Sequence, residues 1–284
     1  MNAIIFPLLS VITGTTNVLF EKKIFTKHKI SRKVFVPVVF SFVFLILSIF
    51  VYPFLGGIAD GAFQPLFIFL MAVVIISSCF RNMMYYYSFK REGLCEIEPF
   101  VSFIPLLTII IAFFVYPEER SHWSVFILAL IAALALVFSH IRKKHIVIDK
   151  TMLPIIGVVV LEAIENNITK ELLNFYSPVA MYTIRAFFVA TILLAFYKPK
   201  LSKIKKEDWK NMFLISILWA FSVVFVYYGY QRLGVIYTSL IMMLAPVLIT
   251  FGSYLLFKDK DFTKRNVIAL LVVLGCVAVA QFVG

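Results

Sequence analysis

Charge is scarce in this chain. Only 15% of its 284 residues are Asp, Glu, Lys or Arg, where a soluble domain carries roughly 25%. That shortage, set against 62% hydrophobic residues, excludes a disordered protein, a coiled coil and an ordinary cytosolic enzyme. Cysteine is nearly absent as well. Cys79, Cys95 and Cys276 are the whole supply, and no Cys-x-x-Cys pair or His/Cys cluster occurs. A disulfide scaffold and a zinc site are therefore not expected, and no metal or other cofactor is assigned. Of four histidines, His28, His140 and His145 lie in basic segments. His122 follows Glu118 and Glu119, where a capping or solvated role fits. No nucleophile–base set stands out, so no catalytic residue is named. The Gly-x-x-x-x-Gly-Lys phosphate loop is missing too, which leaves ATP-driven pumping by this chain unsupported.

What the chain does have is apolar runs about twenty residues long, enough to span a bilayer as a helix. Ten such spans are read at 2–20, 34–55, 65–88, 95–116, 123–139, 153–172, 176–197, 211–230, 235–257 and 265–283. Backbone polar groups in lipid must be paired within the segment, which favours helices. A membrane barrel would alternate polar and apolar residues, and runs such as Leu70–Ser77 and Ile268–Val279 do not. The first span lacks a basic lead-in and a small-residue cleavage site, so it reads as a membrane helix rather than a signal peptide. The expected class is an all-α polytopic membrane protein, multi-pass, in a cell (inner) membrane, as a monomer or homodimer.

The net charge of +12 would suggest nucleic acid in a soluble protein. Here 22 of the 27 basic residues fall after spans 1, 3, 5, 7 and 9. The opposite side holds only Arg120, Lys170 and Arg232, and Arg81 and Arg185 lie inside spans. Such a bias is an orientation signal. It predicts that the 22-charge side is cytoplasmic and that both termini face outward. The basic runs read as topogenic, in contact with anionic lipid, and no nucleic-acid partner is expected.

A shift of 141 residues superposes Tyr86–Leu107 on Tyr227–Leu248 without a gap. Tyr86 meets Tyr227, Arg91 meets Arg232, Gly93 meets Gly234 and Pro105 meets Pro246. More weakly, Phe6–Val11 resembles Leu153–Val158. The chain thus divides into five-helix halves, 1–140 and 141–284. An odd number of helices inverts the second half in the membrane. Inverted repeats are the architecture of many secondary transporters, with substrate bound near the midplane between them.

The duplicated Tyr-Tyr-x-x-x-Arg-x-Gly block, followed by a mid-span proline, resembles the EamA-like ten-helix group of the drug/metabolite transporter superfamily. Glu119-Arg120 matches that group's short charged loop, while Asp259-Lys260-Asp261 departs from it. The resemblance implies alternating-access transport of a small metabolite, coupled to protons or to a counter-solute. It also implies both termini in the cytoplasm, opposite to the charge count.

Polar groups within the spans are the candidate site. Glu162, Glu165, Asn166 and Thr169 share roughly one face of the sixth span, and Arg185 sits mid-way along the seventh. Glu162 and Arg185 form either a structural ion pair or, with Glu165, a place for a proton or a cationic group. Arg81 either clamps an anionic substrate group, pairs with Glu98 or Glu96, or reaches to the interface. Asn17, with Thr13 and Thr16, offers hydrogen bonds to the interior or to a neighbouring helix. Trp219, Tyr227, Tyr228 and Tyr85 offer ring faces to a solute, or belong to an interfacial belt. Pro105 and Pro246 are hinges or fixed kinks. The substrate-binding set is thus Asn17, Arg81, Tyr85, Glu162, Asn166, Arg185, Trp219 and Tyr227. Glu162 and Glu165 are the proton candidates. A membrane-embedded lipid-modifying enzyme would need a convergent His/Asp/Glu set at one face. A passive channel would need rings of like polar groups, and the unlike charges Glu162, Arg185 and Arg81 argue against one.

Overall fold

The computed structural model describes residues 3–27, 30–92, 94–121, 123–140, 153–257 and 264–283. Helices account for nearly all of them. In chain order they are α1 (Ile5–Lys27), α2 (Arg32–Ile46), α3 (Tyr52–Leu55), α4 (Pro65–Glu92), α5 (Leu94–Val101), α6 (Phe103–Val115) and α7 (Pro117–Arg120). There follow α8 (Trp123–His140), α9 (Leu153–Leu172), α10 (Pro178–Tyr197), α11 (Lys206–Leu233), α12 (Val235–Met242), α13 (Leu244–Phe257) and α14 (Lys264–Val283). A π-helical turn, Leu47–Val51, joins α2 to α3 in one helical stretch, Arg32–Leu55. Among the described residues there is no strand, only a single bridge between Ile58 and Tyr176.

Six helical stretches are long and apolar enough to cross a membrane: Arg32–Leu55, Pro65–Arg91, Pro178–Tyr197, Lys206–Leu233, Val235–Phe257 and Lys264–Val283. Their outer surfaces suit lipid rather than water. Phe54, Phe114, Phe138, Phe196 and Phe282 are each more than 60% exposed, and soluble monomers rarely leave a broad apolar surface uncovered. The chain is an integral, multi-pass membrane protein. Helices α1 and α9 are long but fall outside the six because they carry charge. The sequence reading ends the first span at Phe20, yet α1 continues through Lys27. The reason lies in Glu21, whose carboxylate is buried and hydrogen-bonded inside the bundle rather than solvated at a helix end.

The spans read at 95–116 and 235–257 each contain an internal break. Helix α5 yields to α6 at Ser102, and α12 yields to α13 at Met243. Pro105 and Pro246 sit at the third position of α6 and α13. Without an N–H, neither can continue the hydrogen-bond ladder back across the break. Both breaks, and both ends of α4 and α5, recur 141 residues later in the chain.

The tightest helix pairings are α1 with α11, α8 with α14, α2 with α10, and α4 with α9. Gly14 allows the first: a Cβ there would lie 2.9 Å from Ser222 Oγ. Ser10 uses that proximity, its hydroxyl donating to the Ser222 carbonyl at 2.9 Å. Thr13 and Thr16 instead return their hydroxyls to their own helix, at Leu9 and Ile12 carbonyls.

One end of the bundle is tied across by its loops. Ala59 N–H donates to the Phe175 carbonyl at 2.8 Å, and Ser177 N–H to that of Gly57 at 2.9 Å. Tyr176 Oη donates to the Ala62 carbonyl at 3.2 Å. Burial holds this phenol above the usual tyrosine range, so it stays a donor through neutral pH. The Glu119 carboxylate accepts from the Val235 and Ile236 N–H groups, at 2.5 and 3.2 Å, and caps α12. Gly234, at φ +83°, lets the chain enter α12 against that carboxylate; a Cβ would meet Glu119 Oε1 at 2.5 Å.

Candidate functional site

Helices α4, α9, α10 and α11 are apolar for most of their length, with isolated polar residues turned toward one another. Ser77, Ser78 and Arg81 stand a turn apart on α4, and Glu162 and Glu165 a turn apart on α9. Arg185 comes from α10 and Tyr227 from α11. Arg81 Nη1 donates to Glu162 Oε2 at 2.9 Å, and its Nε lies 3.2 Å from both oxygens of Glu165. Arg185 Nη2 donates to Glu165 Oε2 at 2.6 Å, and its Nη1 to Tyr227 Oη at 2.6 Å. Ser77 and Ser78 add hydroxyl donors to Glu165 at 2.7 and 3.2 Å.

Two arginines thus face two glutamates, and their formal charges cancel. Glu165 is only 2% exposed and is surrounded by donors. This is the condition under which a buried ion survives: paired with opposite charge and with its lone pairs filled. Glu162 differs. It is 31% exposed and accepts from Arg81 Nη1. The cluster therefore has a locked member and an accessible one.

The partners differ from two of the sequence expectations. Arg185 pairs with Glu165, not Glu162, because Glu165 lies one turn further along α9 and faces α10. Arg81 pairs with α9, not with Glu98. Helix α4 packs along α9 for much of its length, which carries Arg81 to the two glutamates. The Glu96 side chain, Gly93, His28, His122, His145, the His140 side chain and Asp259-Lys260-Asp261 lie outside the described residues.

The remaining candidates form a second group around α1. Asn17 donates its amide to Glu21 Oε1 at 2.8 Å, and Tyr86 Oη donates to the same oxygen at 2.9 Å. Tyr85 stacks edge-on against Tyr86 with centroids 5.0 Å apart. Trp219 packs on Phe40 at 5.2 Å and on Tyr86 at 6.3 Å. Asn166 leaves this group and reaches Thr108 Oγ1 on α6 at 3.3 Å. Pro105 and Pro246 lie at the breaks already described, away from ion pairs.

Three acidic residues of this architecture are absent from the sequence-derived set. Glu21 sits beside a Lys-Lys pair and reads as solvated, and only its spacing of four from Asn17 hints at a buried partner. Glu98 is buried near the start of a span. Glu119 is a long-range helix cap, which no local pattern reveals.

Three comparisons bear on this arrangement. A family model described as the EamA-like transporter family matches residues 149–281. No curated protein matches the chain. In fold, the chain is similar to a solved structure described only as the crystal structure of a protein. That likeness covers 99% of this chain and 96% of the other, with a TM-score of 0.73 and 13% sequence identity. At that identity it speaks for fold alone.

Proposed function

We propose, from the match of residues 149–281 to the EamA-like transporter family model, that the chain is a secondary active transporter. It moves a small metabolite across a cell membrane by alternating access, coupled to protons or to a counter-solute. The observation that carries this reading is the charge-balanced cluster of Arg81, Glu162, Glu165 and Arg185. It joins helices on both sides of residue 140, within spans where ions are costly. One of its carboxylates remains accessible.

The reading includes ten membrane helices in two inverted halves, 1–140 and 141–284. Adding α1, α5–α6, α8 and α9 to the six apolar stretches completes ten. Support comes from the helix boundaries that recur after 141 residues. Support comes also from the pairings, since exchanging the halves turns α1 with α11 into α9 with α4 and leaves α2 with α10 and α8 with α14 unchanged. Two equivalent halves can exchange conformations, which is the physical basis of alternating access. The end tied by Glu119 and the 57–62 and 173–177 loops is then the closed end, and the breaks at Ser102 and Met243 are the hinges. Tyr227 and Asn166 complete the wall on the second half. Asn17 and Tyr85 stand on the first half, where Trp219 of the second half packs on Tyr86.

Uptake by proteoliposomes loaded with a counter-solute or set with a pH gradient tests the function. A panel of amino acids, sugars, nucleotides and amines should contain at least one solute that accumulates without ATP. Uptake that never exceeds protein-free liposomes for any member contradicts it.

A further inference from the structure

Two arginines share one ring at the basic end of the bundle. The Arg32 guanidinium lies over the Tyr87 ring, 4.4 Å from its centre, and the Arg91 guanidinium lies over the same ring at 4.3 Å. Arg32 opens the membrane-length stretch Arg32–Leu55, and Arg91 closes the stretch Pro65–Arg91. The pair therefore sits where two spans end, at headgroup depth, with Tyr87 a turn further in as in an interfacial aromatic belt. Lys90 brings a third cation. Its Nζ donates to the Ile30 carbonyl at 3.3 Å, just ahead of Arg32 in the chain.

These cations lack an anion. Among the described residues no carboxylate pairs with Arg32, Lys90 or Arg91. Arg32 gives one N–H to the Met83 carbonyl at 3.2 Å, and the other donors of its planar fork meet no acceptor among the described residues. Cation–π attraction holds both guanidiniums to the ring. A ring carries no net charge, so it leaves two like charges close together, and they repel. The start of α2 pulls the same way. Its first-turn N–H groups have no acceptor within the helix, and the Ser31 side chain does not cap them. A helix N-terminus beside arginines favours a phosphate by its dipole. The repeat counterpart of Tyr87 is built otherwise: Tyr228 stacks on Phe6 with centroids 5.0 Å apart. The doubly covered ring thus belongs to the basic end.

We propose that Arg32 and Arg91, with Lys90 and the start of α2, bind the phosphate of an anionic membrane lipid. This is one defined headgroup site, apart from the diffuse attraction of the basic runs, and it stands independently of the transporter reading. Guanidinium forks take phosphate oxygens in pairs. The depth selects a lipid over a free ion, because lipid phosphates already lie at the ends of membrane spans and anionic ones gather at the basic face. The bound headgroup neutralises the pair and ties the start of α2 to the end of α4.

Native mass spectrometry of the purified full chain in a neutral detergent tests it. The probes are dioleoylphosphatidylglycerol, dioleoylglycerol with the same tails and no phosphate, and inorganic phosphate. The first phosphatidylglycerol should bind at least tenfold more tightly than dioleoylglycerol, and inorganic phosphate at equal concentration should not displace it. Arg32→Gln with Arg91→Gln should weaken that first step at least fivefold. Lys200→Gln with Lys210→Gln, a charge-matched change elsewhere on the basic face, should leave it within twofold. The comparison of lipids is read on the unaltered chain and stands even where a variant does not fold. Equal binding of both lipids overturns the site. Equal weakening by the two paired changes also overturns it, since the attraction is then diffuse. Displacement by inorganic phosphate overturns the lipid as occupant and makes the arginine pair a site for a soluble phosphate.

Discussion

Arg185 donates to Glu165 at 2.6 Å between α10 and α9, and both side chains are almost fully buried. Arg81 closes on the same carboxylate from α4. Removing one member of a buried pair strands the other, which costs about 3–5 kcal/mol. Glu165→Ala should therefore lower the melting temperature in detergent sharply. The double variant Glu165→Leu with Arg185→Leu should lose less than the sum of the single changes. Additive losses would show that the two residues do not act as a unit.

Glu162 should behave differently although it lies one turn away. It is 31% exposed, and pairs open to solvent contribute only about 0–1 kcal/mol. Glu162→Gln should leave the melting temperature nearly unchanged and abolish coupled uptake. Unchanged pH-driven transport in that variant would remove Glu162 from the coupling mechanism.

The contrast between these two residues shows how far the sequence reaches. Arg81, Arg185, Glu162 and Glu165 are visible as charges inside apolar runs, because hydrocarbon makes such charges expensive. Which arginine meets which glutamate is not visible, because spacing along α9 gives a face but not the helix that covers it. The breaks at Ser102 and Met243 are foreshadowed by Pro105 and Pro246, since a missing N–H is a local property. Glu21 is hidden by Lys22 and Lys23, which mark a helix end to any hydropathy reading. Glu119 is hidden because its partners, Val235 and Ile236, are remote in sequence.

The Glu119 cap gives a third prediction. Val235 and Ile236 N–H groups lose their acceptor in Glu119→Ala, a loss of about 0.5–2 kcal/mol for a helix cap. Gly234→Ala should cost about 1–3 kcal/mol, because a Cβ is strained at φ +83° and meets the carboxylate. Both variants should also speed labelling of a cysteine placed at Ala62, a buried residue of the 57–62 loop. Unchanged labelling in both would mean that this contact does not hold the end closed.

Orientation follows from charge. With the three native cysteines replaced, a cysteine at residue 1 or 284 should react with an impermeant maleimide added outside intact cells. Labelling from the cytoplasm alone would reverse the assignment and agree with the orientation that the sequence resemblance implies.

The central claim is that the ion cluster belongs to a gradient-driven transport cycle. The direct measurement is uptake of the best panel solute into proteoliposomes, for the unaltered chain and for Glu162→Gln, under an imposed gradient and without ATP. The account predicts accumulation above the bath concentration by the unaltered chain and none by the folded variant. Equal accumulation by both would contradict it.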